Sequence, residues 1–307
     1  MVTLSFPGLG IGEFTINRVA FTLFGLEVRW YGIIVTLAIV AAFLYAYKRS
    51  FFEGISTDDL YDITIWTVIF GIIGARAYYV LTTLSTGEYK SFLDVIAIWN
   101  GGLAIYGGII AGAITVFVVT RIKKIKTAKV LDMAAPGVML AQAIGRWGNF
   151  ANGEAFGRET DIFCRMGIKL QSWSKMYYVH PTFLYESLWN IVGFIIINAL
   201  YKKKKFDGQI ILMYITWYGF GRMFIEGLRT DSLYFMSSVF GETIRISQVV
   251  GALSFVVGTA LLIVFGLRAR KKKAAEGEYE PVYNIGKEKT ENTEETESEE
   301  DGNGKDN

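Results

Sequence analysis

The sequence predicts an all-α polytopic membrane protein with seven transmembrane helices, the N-terminus outside and the C-terminus cytoplasmic. Three observations predict it. Of the 307 residues 52% are hydrophobic, and the mean hydropathy of +0.33 is high for a soluble domain. The apolar residues gather into stretches close to the ~20 residues that a helix needs to span a bilayer. Lysine and arginine recur at every second boundary between those stretches, which sets an orientation.

The seven stretches are Tyr31–Tyr47, Leu60–Leu81, Leu103–Thr120, Val130–Trp147, Pro181–Tyr201, Gln209–Leu228 and Ile246–Leu267. The fourth contains Asp132, Pro136, Gln142 and Arg146, so a bent or partly unwound helix, buried among the others, is expected there. Short basic connections follow the odd-numbered spans: Lys48 and Arg49; Arg121 to Lys129; Lys202 to Lys205; Arg268 to Lys273. The opposite connections, roughly residues 82–102, 148–180 and 229–245, are longer and poorer in Lys and Arg. Residues 274–307 are acidic and nearly free of apolar side chains, which predicts a disordered cytoplasmic tail after a membrane domain of residues 1–273.

The net charge of +2 conceals this segregation and by itself says little about partners; nothing points to nucleic acid. The single cysteine, Cys164, rules out an intrachain disulfide. With the single histidine, His180, it leaves almost no ligands for a zinc site. No basic segment precedes the first apolar run, so insertion is expected through the first membrane helix rather than a cleaved signal peptide. No C-terminal lipidation motif is present.

Ionisable groups within spans cost ~2.5–3.5 kcal/mol each on insertion scales and mark function by default. Here Arg76, Arg146, Glu186, Arg222 and Glu226 come from four different spans, and the predicted topology sets all of them toward the outer face. Tyr31 and Tyr106 fall at the outer starts of the first and third spans. Helical spacing puts Gln142, Arg146 and Asn149 on one face, and Tyr218, Arg222, Glu226 and Arg229 on another. A guanidinium is a planar fork of donors that suits phosphate, so arginines at headgroup depth read as a phospholipid-headgroup site. The plainer alternative is that Arg222 and Glu226 form a self-neutralising intrahelical pair and that Arg229 snorkels to the interface.

The segment from Gly145 to Arg158, GRWGNFANGEAFGR, resembles the signature of bacterial phosphatidylglycerol–prolipoprotein diacylglyceryl transferases. Further matches run from Trp30 to Leu267: Arg29-Trp30-Tyr31-Gly32, Gly74-Ala75-Arg76, Trp99-Asn100-Gly101-Gly102, Tyr106-Gly107-Gly108, His180-Pro181-Thr182, Leu184-Tyr185-Glu186, and Tyr218-Gly219 with Arg222 and Glu226. The resemblance implies a multi-pass enzyme of the bacterial cytoplasmic membrane with its site toward the outer face. It would move a diacylglyceryl group from phosphatidylglycerol to the lipobox cysteine of a prolipoprotein signal peptide, releasing glycerol phosphate, with no cofactor or metal. Residues 1–273 are then the catalytic domain. Arg146 corresponds to the family's essential arginine and is assigned to the headgroup phosphate, while Arg222 corresponds to a second, set against charge on the leaving oxygen. Asn149 and Glu154 would orient the glycerol head or hold Arg146, and Gly157 would supply a backbone turn. Tyr31 and Tyr218 match site tyrosines; Arg76 and Glu226 complete the substrate-binding set.

Tyr106 stands where a well-studied form of the family has a catalytic histidine before two glycines. An ordinary phenol, with pKa ~10, is a poor base for a thiol. Tyr106 is therefore ionised by arginine charge, or positions substrate while water or Glu154 takes the proton, or stands beside an arginine field that itself raises the thiolate fraction; the positioning role is preferred. His180, before a proline at a helix start, reads as structural, and Cys164 as a bystander. The competing function is a phospholipid transporter or flippase. Polar residues set toward one face rather than the midplane, and no detectable internal repeat, argue against it.

Overall fold

The computed structural model describes residues 1–86, 89, 91–98, 101–230 and 245–276. Trp99, Asn100 and the expected tail beyond residue 276 lie outside the described residues. The contacts divide the chain into two compact units, one from Met1–Ala46 with Ala134–Pro281 and one built on Tyr47–Met133. Five helices are long and apolar enough to cross a membrane among the described residues: Trp30–Glu53, Thr57–Thr83, Ile105–Ile122, Thr182–Lys203 and Ile246–Lys272.

The helices are α1 (Trp30–Glu53), α2 (Thr57–Thr83), a short α3 (Phe92–Ile96), α4 (Ile105–Ile122), α5 (Thr127–Asn152), α6 (Thr182–Leu200), α7 (Gln209–Ile225) and α8 (Ile246–Glu276). The fourth and sixth expected spans are thus helical but fall short of the other five in apolar length. α5 carries Lys129, Asp132, Gln142 and Arg146, and remains helical through Pro136 with no unwound turn. α7 has 17 residues, a rise of about 26 Å at 1.5 Å per residue. A tighter 3-10 turn, Glu226–Leu228, then closes it.

The all-α expectation is corrected by two small sheets. Strands β1 (Val2–Phe6), β2 (Ile11–Ile16), β5 (Met166–Leu170) and β6 (Tyr177–Val179) form a four-stranded sheet in the order β2-β1-β5-β6. Strands β3 (Val19–Leu23) and β4 (Leu26–Arg29) form a separate hairpin. Every strand is six residues or shorter, and so escapes a reading built on long apolar runs. In β1 alternate residues Val2, Leu4 and Phe6 point inward and pack with Met166, Ile168, Val179 and Phe183. Phe150 near the end of α5 lies against this core, so the sheet braces the ends of α5 and α6.

In the first unit, α6 and α7 are clamped by two indoles. Trp189 and Trp217 stack with centroids 4.3 Å apart, and each Nε1–H donates to the other's backbone carbonyl, at 3.2 and 3.0 Å. Gly221 and Gly193 make room: a Cβ on Gly221 would overlap the Trp189 indole, and one on Gly193 the Trp217 indole. Gly193→Leu is therefore expected to cost ~1–3 kcal/mol by overpacking. Thermal unfolding in detergent checks this, and an unchanged midpoint would show that the clamp yields freely. Between α7 and α8 the close pair is Gly219 and Gly251, where a Cβ on either would meet the other's carbonyl oxygen.

In the second unit, α2 begins at Ser56, whose hydroxyl accepts the Asp59 N–H, with Asp58 and Asp59 in its first turn. Lys123, just past α4, bonds Asp59 at 2.8 Å and Asp62 at 2.6 Å. α2 and α4 cross at Gly74 and Gly107, where a Cβ on Gly107 would meet the Gly74 carbonyl and the Tyr78 side chain. The glycine after Tyr106 thus serves helix packing.

Candidate active site

The site in the first unit begins with the end of α5. Arg146 and Asn149, one turn apart, share a face, and Arg146 Nη1 donates to Asn149 Oδ1 at 3.3 Å. The Asn149 amide donates to Glu154 Oε1 at 2.9 Å, and Asn152 reaches the same oxygen at 3.3 Å. Gly153, with φ +62, stops α5 and turns the chain so that Glu154 lies back beside it.

Glu186, in the first turns of α6, is the centre of the cluster. Its Oε2 meets Arg146 Nη2 at 2.5 Å and Arg222 Nη1 at 3.2 Å, and its Oε1 meets Arg229 Nη1 at 3.2 Å. Glu226, one turn beyond Arg222, takes Arg222 Nη2 at 2.9 Å and lies 3.9 Å from Arg229 Nε. Three guanidiniums thus share two carboxylates, and these five groups sum to one positive charge in a largely buried setting. Arg146 is the most open of the three, with 22% of its side chain accessible against 15% for Arg222 and 11% for Arg229. Arg222 Nε is buried and has no hydrogen-bond partner. Beside it, Glu186, Trp189, Asn190, Tyr218, Gly221 and Ile225 line a small recess. Arg222 is thus a cation with an unused donor, and a guanidinium fork suits phosphate.

Other expected residues surround this cluster. Tyr31 at the start of α1 lies against Gly148, where a Cβ would stand 3.0 Å from its ring. Gly157 is not in the left-handed region. Its need for glycine comes from crowding: a Cβ would stand 2.6 Å from His180 Cβ and 3.1 Å from the Leu228 carbonyl oxygen. Its N–H donates to His180 O at 2.9 Å, and the neighbouring Arg158 N–H donates to Leu228 O at 2.8 Å. Through these bonds the motif loop holds the chain just before Arg229. Gln142, on the Arg146 face, donates to Tyr214 OH at 2.9 Å. His180 Nδ1 lies 3.3 Å from Tyr185 OH, and partial burial pushes its imidazole below the ordinary range. Cys164 Sγ lies 3.7 Å from the same hydroxyl.

Arg76 and Tyr106 belong to the second unit. Arg76 is buried, and its donors go to backbone carbonyls: Nε to Val95 at 2.8 Å, Nη2 to Asp94 at 2.6 Å, and Nη1 to Gly101 and Gly102 at 2.8 and 3.0 Å. It also lies 5.6 Å from the Tyr79 ring centroid. Gly101 and Gly102 carry φ of +86 and +74, conformations only glycine takes cheaply. Arg76 thus shapes the turn that leads into α4, at Gly101 and Gly102, five and four residues before Tyr106. Tyr106 itself is half-buried in the first turn of α4.

The model of the family described as "Prolipoprotein diacylglyceryl transferase" matches residues 18–264, which include every member of the arginine cluster. The chain belongs to this family. Phosphatidylglycerol–prolipoprotein diacylglyceryl transferase of Finegoldia magna is 43% identical over 253 residues, covering 81% of this chain and 96% of the relative. The protein of that name from Listeria innocua is 41% identical over 262 residues, covering 83% and 92%. That from Enterococcus faecalis is 42% identical over 261 residues, covering 81% and 90%. With its apolar helices, membership of the transferase family makes this a multi-pass bacterial membrane protein.

For a diacylglyceryl transferase, the residue that sequence reasoning undervalued is Glu186. It was recognisable as a charge within a span, but its place between three arginines depends on how α5, α6 and α7 meet. Arg222 and Glu226 do pair, as the plainer reading held, yet Arg222 also reaches Glu186. Arg229 also reaches Glu186, at 3.2 Å.

Proposed function

We propose that this chain transfers the diacylglyceryl group of phosphatidylglycerol to a prolipoprotein cysteine thiol, with the Arg146–Arg222 cluster as its headgroup site. The observation that carries the reading is the buried, unpartnered Nε of Arg222, beside a recess in a cluster with net positive charge. The cysteine sulfur attacks the glycerol carbon that bears the phosphate. A C–S bond forms, the C–O bond breaks, and glycerol phosphate leaves with the electron pair while the thiol proton goes to a base. Charge grows on the leaving phosphate oxygen, where a preorganised guanidinium does most. Arg222 takes that role. Arg146, the more open fork, holds the phosphate and is itself oriented through Asn149 and Glu154. Tyr31 and Tyr218 bound the glycerol head, and Tyr106 has a substrate-positioning role.

In this proposal seven helices cross the bilayer, the C-terminus is cytoplasmic and the site opens to the outer face. The alternation of basic connections supports that orientation. Purified protein given phosphatidylglycerol and a lipobox peptide is expected to release glycerol phosphate with the cysteine peptide and not with its serine counterpart. Absence of release from both ends the proposal. In the same assay Tyr106→Phe is expected to keep most of its turnover. A loss of ~10²–10⁴-fold would instead make the hydroxyl necessary to the reaction.

A further inference from the structure

Among the described residues the β3–β4 hairpin has no further strand beside it. Its register sets Leu23 opposite Leu26, Thr22 opposite Glu27 and Phe21 opposite Val28. Since side chains alternate along a strand, Phe21, Leu23, Leu26 and Val28 share one face. Thr22 and Glu27 hold the other, where Arg29 pairs with Glu27 at 3.4 Å. The apolar face is open: Phe21 is 51% exposed, Leu23 52% and Leu26 72%. At the tip, Phe24 is 95% exposed. Phe24 and Gly25 both have positive φ, +49 and +80, as a two-residue primed turn requires. Asparagine or glycine is the usual first residue of such a turn; here it is an aromatic ring held outward.

A two-stranded hairpin is marginal in water and needs its apolar face covered. The chain itself points to the cover. β4 ends at Arg29 and α1 starts at Trp30 with no residue between, so the hairpin is continuous with a helix long and apolar enough to span a bilayer. Trp30 and Tyr31 are 43% and 40% exposed in the first turn of that helix, and Leu37 further along is 58% exposed. Exposed aromatics at the end of an apolar helix mark headgroup depth. An element with one apolar and one charged face beside that level lies in the interface, its apolar side in the acyl region.

We propose that the apolar face of this hairpin, with Phe24, is seated in the lipid of the leaflet at which α1 begins, anchoring the start of α1. The inference rests on α1 spanning the membrane and otherwise stands apart from the transfer chemistry.

Because Cys164 is the only cysteine, Cys164→Ser provides a background for single nitroxide labels at Phe24→Cys, Leu26→Cys, Glu27→Cys and Leu37→Cys. The full chain would be placed in phosphatidylcholine–phosphatidylglycerol vesicles, and each label's relaxation by oxygen compared with that by a water-soluble nickel complex. Labels at 24, 26 and 37 are expected to favour oxygen several-fold more than the label at 27 does. Nickel access at 24 and 26, with 37 in lipid, would place the hairpin in water and overturn the proposal. Protection from both agents, with broadening that fades on dilution by unlabelled protein, would mean that a second copy covers the face, which also overturns it. Nickel access at 37 would remove the spanning helix itself, a failure distinguishable from the other two.

Discussion

Arg222→Ala is expected to reduce turnover by ~10²–10³-fold, the loss typical when one preorganised donor facing a developing oxyanion is removed. Loss of its charge leaves two arginines, Arg146 and Arg229, against Glu186 and Glu226, a balanced set, so the fold should survive. Glycerol phosphate release measured beside the melting midpoint separates the two effects. Arg222→Lys keeps the charge but gives up the fork, since a lysine ammonium cannot reach two carboxylates and a phosphate in one plane. It is expected to recover only part of the rate. Normal turnover in Arg222→Ala would sink the assigned role.

Glu186→Gln is expected to act mainly on stability. The carboxylate receives Arg146, Arg222 and Arg229 at 2.5, 3.2 and 3.2 Å, and its side chain is 7% accessible. Removing one partner from a buried ion cluster typically costs ~3–5 kcal/mol, because the remaining charges stay buried without compensation. An amide oxygen can still accept hydrogen bonds but carries no charge to offset three guanidiniums. Denaturation in detergent should show the loss, and Arg229→Gln placed in the same chain should recover part of it by removing surplus charge. If the double variant is no more stable than Glu186→Gln alone, charge balance is not what Glu186 provides.

The helical part of this fold was legible in the sequence because apolar length is a local property. Each expected span proved helical over most of its length, α5 and α7 included. The sheet was not legible. β1 has five residues, and its inward set, Val2, Leu4 and Phe6, gains its partners from Met166 and Ile168. The arginines were legible for another reason: a charge in an apolar run is costly, so its presence needs a cause. Which charges meet was not. Arg76 stands in the expected substrate-binding set, and its donors go to the backbone carbonyls of Asp94, Val95, Gly101 and Gly102, acceptors that no residue pattern displays. Gly157 looked like a turn residue, and its smallness is needed because two other segments press against it.

The pairing of β1 with β5 sets an order in time. Val2 lies opposite Leu170 and Ser5 opposite Gly167, so β1, which has β2 beside it at once, waits for its second partner, made more than a hundred residues later. At ~5–20 residues per second the wait is on the order of ten seconds. During it α1, α2, α4 and α5 are already made, while Val2, Leu4 and Phe6 have no core to enter. The sheet is therefore a late step of biogenesis. Closing it fixes the motif loop after α5, so the arginine site is completed only when β1 and β5, far apart along the chain, meet.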